Sequence, residues 1–111
     1  MKEVLYFLKD RHEIDFVRNQ LVKRHDDVIR LSCNGVMTEK VDYGIISSYT
    51  GIHGYDIDEL YVSTSWRNYG DREILDELKK SLFPILSSRK GSWKYLDLGH
   101  RGYNFGRFKY E

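Results

Sequence analysis

The fold is decided by residues 3–24, which read EVLYFLKDRHEIDFVRNQLVKR. The first part, EVLYFL, is a nearly continuous apolar run, the pattern of a strand that is covered on both faces. Asp10 and Glu13 then have the spacing of a capping box, and apolar residues recur beyond them at helical spacing. The stretch therefore predicts a central strand followed by a helix over residues 11–24.

The rest of the chain alternates between extended segments and turns. Further strands are predicted over residues 28–33, 36–41, 58–63 and 93–98, and a second helix is predicted from near Asp71. Asn34 and Gly35 tolerate positive φ, which indicates a β-hairpin turn at that point. Residues 43–48 either extend this hairpin or form another strand. Because strand-helix-strand units place parallel strands between helices, we expect a three-layer α/β fold with a mostly parallel sheet and a β-hairpin.

Composition is typical of a globular protein. The chain has 111 residues, of which 41% are hydrophobic and 32% charged, and this predicts one domain over residues 1–111. The lone cysteine, Cys33, has no partner for an internal disulfide and is interpreted as a packed apolar residue. No uncharged stretch is long enough to span a bilayer. We expect a cytoplasmic protein without a membrane partner, in the host cytoplasm if the alanine-free composition reflects a viral or phage genome.

Charge is distributed unevenly along the chain. The net charge is only +1, but residues 87–111 carry +4 and the remainder carries −3. Aromatic residues are interleaved with the cations of this basic-aromatic C-terminal segment. Such a mixture neutralises phosphates and stacks unpaired bases. The predicted nucleic-acid-binding residues are Arg89, Lys90, Lys94, Arg101, Tyr103, Arg107, Phe108 and Lys109. The alternative is a final strand whose aromatics cover the core while Lys and Arg side chains reach the solvent.

A second group of aromatic residues, between residues 49 and 69, consists of Tyr49, Tyr55, Tyr61, Trp66 and Tyr69. Tyrosine and tryptophan are the residues that most often anchor protein interfaces when they are exposed. Tyr49, Tyr55, Trp66 and Tyr69 are therefore predicted to form a protein-docking surface. This hypothesis requires that these side chains face the solvent.

Signatures of common enzymes are absent from the sequence. It contains no GxxxxGK[ST], GxSxG, HExxH or CxxC motif. The strongest acidic cluster places Asp56, Asp58 and Glu59 beside His53, a set that fits a metal-dependent nuclease in principle. Asp58 and Glu59 point to opposite faces if both lie in one strand, so ordinary solvated charge is the favoured interpretation. We therefore predict neither a metal site nor catalytic residues.

The order of these segments resembles the ATPase domain of phage large terminases and related helicase-like P-loop motors. VLYFLKDRHEIDFVRNQL resembles the strand and helix that follow the nucleotide-binding helix, and VIRLSCNGVM resembles the extended residues before the Walker B region. GIHGYDIDELYVSTSW is similar to the glycine-rich loop and Walker B strand. ILDELKKSLFPILSSRKGSWKYLDLGHRGYNFGRF is similar to the following helix and the strand that carries the coupling motif.

The resemblance implies a trimmed RecA-type core that has lost its chemistry. Ser63 and Thr64 occupy the positions of the Walker B carboxylates, and neither side chain can hold Mg²⁺ or activate water as a carboxylate does. With no phosphate loop in the sequence, ATP hydrolysis by this chain is not expected, and no cofactor is predicted. A sheet edge left open in such a core is a plausible docking surface.

These expectations combine into one hypothesis with two alternatives. The chain is interpreted as a small, non-catalytic, phage- or virus-encoded accessory protein that binds nucleic acid or a nucleic-acid-processing protein complex. The alternatives are a protein-binding modulator of a host or viral ATPase and a metal-dependent nuclease.

Overall fold

A computed structural model shows that the protein has an α/β fold, with helices and a single mixed β-sheet. The structure describes residues 2–47, 57–68, 76, 80, 86, 91–97 and 109–110. The strands are β1 (Lys2–Phe7), β2 (Val28–Ser32), β3 (Gly35–Thr38), β4 (Val41–Ile46), β5 (Glu59–Ser63), β6 (Ser92–Asp97) and β7 (Lys109–Tyr110), and the helices are α1 (Arg11–Arg24) and α2 (Thr64–Asn68).

The sheet has the strand order β2-β3-β4-β1-β5-β6-β7. Strand β1 is parallel to both of its neighbours, β4 and β5, and β5 is parallel to β6. The pairings β2–β3, β3–β4 and β6–β7 are antiparallel. Among the described strands the sheet is therefore mixed, with a parallel centre and antiparallel margins, where the sequence predicted a mostly parallel sheet. The α/β class and the central position of β1 are confirmed.

Strand β1 is covered on both faces, as its apolar sequence predicted. Its alternate side chains enter two separate clusters of buried residues, because successive strand residues point to opposite faces. Val4 and Tyr6 pack with Val17 and Leu21 of α1 on what we call the α1 face. Leu5 and Phe7 pack on the opposite face with residues that include Leu60, Val62, Trp66 and Leu86.

Helix α1 has the predicted bounds and the predicted start. Asp10 is the N-cap, and its side chain accepts a hydrogen bond from the Glu13 backbone N–H at 3.0 Å. In a complete capping box, the Glu13 carboxylate would accept a hydrogen bond from the backbone N–H of Asp10. Here it accepts one from the backbone N–H of Lys9 instead, at 2.8 Å. Basic residues in the last turn complement the negative end of the helix dipole.

The predicted hairpin is present, but its turn is one residue earlier than expected. Ser32 pairs with Gly35, so Cys33 and Asn34 form the turn and Gly35 belongs to β3. Gly35 is required there by close packing, since a Cβ at this position would stand 3.0 Å from the backbone oxygen of Tyr43. Cys33 is exposed at the turn, and its prediction as a packed residue was wrong.

Of residues 43–48, the first four belong to the separate strand β4, because a turn at residues 39–40 lets β4 return beside β3; residue 48 lies outside the described residues. Helix α2, which begins directly after β5, was not predicted. The helix predicted from Asp71 lies largely outside the described residues. Asp76 and Lys80 are helical and exposed, and Leu86 is helical and buried.

A candidate ligand pocket on the α1 face

Three tyrosines from three strands form a row on the α1 face. Tyr6 of β1 stands between Tyr43 of β4 and Tyr61 of β5, with ring centroids 6.3 Å from Tyr43 and 5.2 Å from Tyr61. The row exists because β4, β1 and β5 are adjacent and parallel, and Tyr6 is in register with Tyr61. Tyr6 is buried, whereas the two outer tyrosines are half-buried.

A cavity of about 340 Å³ lies against this row. Its size is at the lower end of the range typical of small-molecule pockets. We call it the tyrosine pocket. Its lining residues are Lys2, Val4, Tyr6, Leu21, Arg24, His25, Val41, Tyr43, Glu59 and Tyr61. The pocket thus combines aromatic surface with several ionisable groups.

One side of the tyrosine pocket carries an ion pair. The Lys2 ammonium lies 2.6 Å from the Glu59 carboxylate, which also accepts a hydrogen bond from the Tyr61 hydroxyl at 2.7 Å. The hydrogen bond to Glu59 raises the pKa of Lys2 above its usual value. Burial pushes the pKa of Glu59 upward, but the hydrogen bonds from Lys2 and Tyr61 outweigh burial and hold that pKa below its usual value. Both groups are therefore charged at neutral pH.

The other side of the pocket is formed where α1 ends. His25 is the C-cap of α1, and its Nε2 atom lies 2.9 Å from the hydroxyl of Tyr43. The His25 Nδ1 atom lies 3.6 Å from the carboxylate of Asp27, just before β2. The imidazole is thus held between a carboxylate and a phenol that lines the pocket. The preceding residue, Arg24, is exposed and adds a cation to the lining.

A second cavity, of about 310 Å³, lies on the opposite face and is acidic. Glu3 and Asp42 face each other across β1 and β4, and Asp58 accepts a hydrogen bond from the Glu3 backbone N–H at 2.8 Å. Burial, followed by the charge of Asp42 and a hydrogen bond with it, raises the pKa of Glu3. Within the described ranges, no set of three or more His, Cys, Asp or Glu side chains is arranged to hold a metal ion.

A buried carboxylate joins α1 to the carboxyl end of β5. Glu13 is 1% exposed, and its Oε2 atom accepts hydrogen bonds from the hydroxyls of Ser63 at 2.7 Å and Ser65 at 2.8 Å. With the Lys9 backbone bond, the carboxylate has three donors. Sequence reasoning identified Glu13 only as part of a capping box, since nothing in the sequence pairs it with serines fifty residues away.

The predicted nucleic-acid-binding residues are described only in part. Lys94 is exposed on β6 and pairs in register with Tyr61, so it lies on the α1 face beside the tyrosine pocket. Lys109 lies in β7, opposite Asp97. The remaining members of the set, Arg89, Lys90, Arg101, Tyr103, Arg107 and Phe108, lie outside the described residues.

The predicted protein-docking residues are also described only in part. Trp66 is 7% exposed and packs against Phe7 with ring centroids 5.1 Å apart, because α2 places it in the core of the opposite face. It therefore does not meet the exposure that the docking hypothesis requires. Tyr49, Tyr55 and Tyr69 lie outside the described residues, as do His53 and Asp56 of the acidic cluster.

Sequence reasoning missed the tyrosine pocket and the residues that shape it. Tyr6 and Tyr43 were interpreted only as parts of strands, and His25 was not selected. The one available signal was the abundance of tyrosine, which occurs nine times in the chain.

No protein-family model, curated protein or solved structure matches the chain. Over the described residues, no helix combines the length and apolar character needed to cross a membrane.

Proposed function

We propose that the protein is a small accessory protein, encoded by a phage or virus, that binds nucleic acid through the α1 face. The observation that supports this proposal is the tyrosine pocket, where half-buried tyrosine rings lie beside the side chains of Lys2 and Arg24. Aromatic rings that stack bases, with cations that contact phosphates, are the usual means of binding single strands without sequence preference. An unpaired base or strand end is the ligand that this combination fits.

Lys94, on β6, adds another cationic side chain on the α1 face next to Tyr61 of the tyrosine pocket. From there the basic-aromatic C-terminal segment supplies further candidate contacts, and Lys109 lies next to β6 in the sheet. In this proposal Arg89, Lys90, Lys94, Arg101, Arg107 and Lys109 contact phosphates, and Tyr103 and Phe108 stack bases. The tyrosine pocket then binds one nucleotide of the nucleic-acid strand, and the basic-aromatic C-terminal segment contacts the phosphates of the neighbouring nucleotides.

The test is the fluorescence anisotropy of labelled single-stranded DNA, single-stranded RNA and duplex DNA at about 50 and 200 mM salt, the range over which counterion release is measurable. We expect single strands to bind and the affinity to fall steeply with salt. Arg24→Ala and Lys94→Ala should each weaken binding and reduce the salt slope by about one phosphate contact. Arg30→Ala is the matched control, because Arg30 is exposed and lines the cavity on the opposite face.

The contribution of stacking is tested at Tyr61. Tyr61→Leu keeps an apolar side chain but removes the aromatic ring, and a lost stack of roughly 1 to 3 kcal/mol should weaken binding about 5- to 150-fold. Absence of salt-dependent binding at micromolar protein would refute the proposal. Equal weakening by Arg30→Ala and Arg24→Ala would show that binding does not use the α1 face.

The second candidate function is binding to a protein of a nucleic-acid-processing machine, and the edge strand β2 favours it. Ile29 and Leu31 of β2 are 60% and 56% exposed, and β2 is the outermost of the described strands on its side of the sheet, with an irregularity in its pairing to β3 at Ile29. An edge strand with alternating apolar side chains can accept an extended segment of a partner as an added strand. Ile29→Lys should abolish such binding and leave nucleic-acid binding unchanged.

We also propose the finer architecture that the resemblance implies: three layers derived from a trimmed RecA-type core. Buried clusters on both faces of the parallel strands support it, as does the position of Ser63 and Thr64 where β5 ends. Ser63 donates its hydroxyl to Glu13, so it acts in packing. Because Ser63 and Thr64 lack the carboxylates that hold Mg²⁺ and activate water, we expect the protein to release no more phosphate from ATP than a buffer blank does.

A further inference from the structure

Tyr43 and His25 line the tyrosine pocket, and together with the adjoining Asp27 they form a series of three neighbouring side chains. The Tyr43 hydroxyl lies 2.9 Å from His25 Nε2, and His25 Nδ1 lies 3.6 Å from the Asp27 carboxylate. The negative charge of Asp27 favours the imidazole tautomer that carries its proton on Nδ1. Nε2 then accepts a hydrogen bond from the Tyr43 hydroxyl. Tyr43, His25 and Asp27 thus have the spatial arrangement of a nucleophile, its base and a group that orients the base.

Two cationic side chains, Lys2 and Arg24, line the same pocket as this hydroxyl. The Lys2 side chain lines the same cavity as Tyr43, and its ammonium is paired with Glu59 at 2.6 Å. Arg24 adjoins His25 in sequence and lines the same cavity. The guanidinium and ammonium groups suit the oxygens of a phosphodiester and the charge that develops on them during displacement.

We infer that Tyr43 is a nucleophile toward the phosphodiester of a bound nucleic-acid strand, with His25 as its general base and Asp27 as a positioning residue. This inference rests on the proposed binding of nucleic acid at the tyrosine pocket and adds a reaction to it. The geometry that carries it is the series of contacts from Asp27 through His25 to Tyr43, at a cavity that is also lined by Arg24 and by the Lys2–Glu59 ion pair.

The reaction is a transesterification that needs no co-reactant. The Tyr43 Oη atom attacks phosphorus while its proton passes to His25 Nε2. The bond between phosphorus and Oη forms, and the bond between phosphorus and one sugar oxygen breaks. The leaving sugar oxygen takes the proton from the His25 imidazolium. The products are a phosphotyrosyl diester and a strand with a free hydroxyl end, so the number of phosphodiester bonds is conserved.

The experiment uses two single-stranded DNA oligonucleotides of the same sequence, with a fluorophore at the 5′ end or at the 3′ end. Each is incubated with the full chain, denatured in SDS and separated by electrophoresis, while the anisotropy of the same mixtures reports binding. The expected result is an SDS-resistant adduct with one of the two labels, because cleavage leaves only one fragment attached to Tyr43. Mass spectrometry of the digested adduct should place the nucleotide on Tyr43.

Tyr43→Phe keeps the aromatic ring and removes the nucleophile, so it should abolish the adduct while binding persists. Tyr95→Phe is the matched control, because Tyr95 lies on β6 with its ring packed on the opposite face, and this variant should form the adduct at the wild-type rate. Persistence of the adduct in Tyr43→Phe, or its loss in Tyr95→Phe, would overturn the assignment.

The roles of the other two residues have separate readouts. His25→Ala should lower the rate of adduct formation about 100-fold or more, and added imidazole should restore part of it. Asp27→Asn should lower the rate about tenfold or more without changing the affinity for DNA, since Asp27 only orients the base. Binding by the wild type without any adduct would refute the inference and leave the proposed function standing. Absence of binding would refute both.

Discussion

Replacing Glu13 with alanine tests whether the buried carboxylate joins α1 to the carboxyl end of β5. Three donors converge on it: the Ser63 hydroxyl, the Ser65 hydroxyl and the Lys9 backbone N–H, at 2.7, 2.8 and 2.8 Å. The hydroxyl of Ser63, a fully buried residue, would keep no carboxylate partner, at a cost of about 1 to 3 kcal/mol. The two half-buried donors would lose about 0.5 to 1.5 kcal/mol each.

Two effects oppose this loss. Alanine is the better helix former, and removing a buried carboxylate relieves its desolvation. We therefore expect Glu13→Ala to lower the free energy of unfolding by about 3 kcal/mol, measured by urea denaturation at pH 7. Glu13→Gln retains one acceptor oxygen and should lose about half as much. In a double-mutant cycle, Glu13→Ala and Ser63→Ala should couple by about 1 kcal/mol or more.

The matched control is Asp15→Ala on the same helix. The Asp15 carboxylate pairs with Arg11 at 3.3 Å and with Arg18 at 3.4 Å, but its side chain is 42% exposed. Ion pairs at such a surface contribute less than about 1 kcal/mol. If Glu13→Ala were no more destabilising than Asp15→Ala, the carboxylate would not be a structural link and the reasoning would fail.

Three further changes have defined outcomes. Gly91→Ala places a Cβ 2.9 Å from two backbone oxygens just before β5, so a lower urea midpoint is expected, with a loss of about 1 to 3 kcal/mol. Thr38→Val removes the hydroxyl that accepts from Val41 N–H at 3.0 Å in the β3–β4 turn, and should lower stability by about 1 to 2 kcal/mol. Glu3→Gln should stabilise the fold at pH 7 but not at pH 3. Burial, and after it the charge of Asp42, raises the folded-state pKa of Glu3, so ionisation destabilises the fold only as the pH rises above the usual carboxyl pKa.

Local features of the fold could be predicted because their causes lie within a few residues of one another. The Asp10 cap, the bounds of α1 and the hairpin near Asn34 each depend on short-range hydrogen bonding and side-chain periodicity. The position of the turn was shifted by one residue, because the contact of Gly35 with the neighbouring strand β4 decides it. Helix α2 carries no apolar periodicity over its five residues, so the sequence offered no signal for it.

The candidate site could not be predicted in the same way. Tyr6, Tyr43 and Tyr61 lie far apart in the chain and meet only because β4, β1 and β5 are neighbours. Their shared face depends on the parallel register of three strands, which local patterns do not specify. Lys94 is the one residue predicted from the basic-aromatic segment whose described side-chain position lies beside that pocket.

The sequence by itself determined that β1 is a central strand, since a continuous apolar run is stable only when both faces are covered, and it determined where α1 begins and ends. Tertiary structure alone decided which polar groups meet. It brought Glu13 to Ser63 across fifty residues of sequence, and it brought His25 to Tyr43 across eighteen. The physical reason is that hydrogen bonds and electrostatic contacts act over a few ångströms, so they depend on the packing of elements that the sequence places far apart.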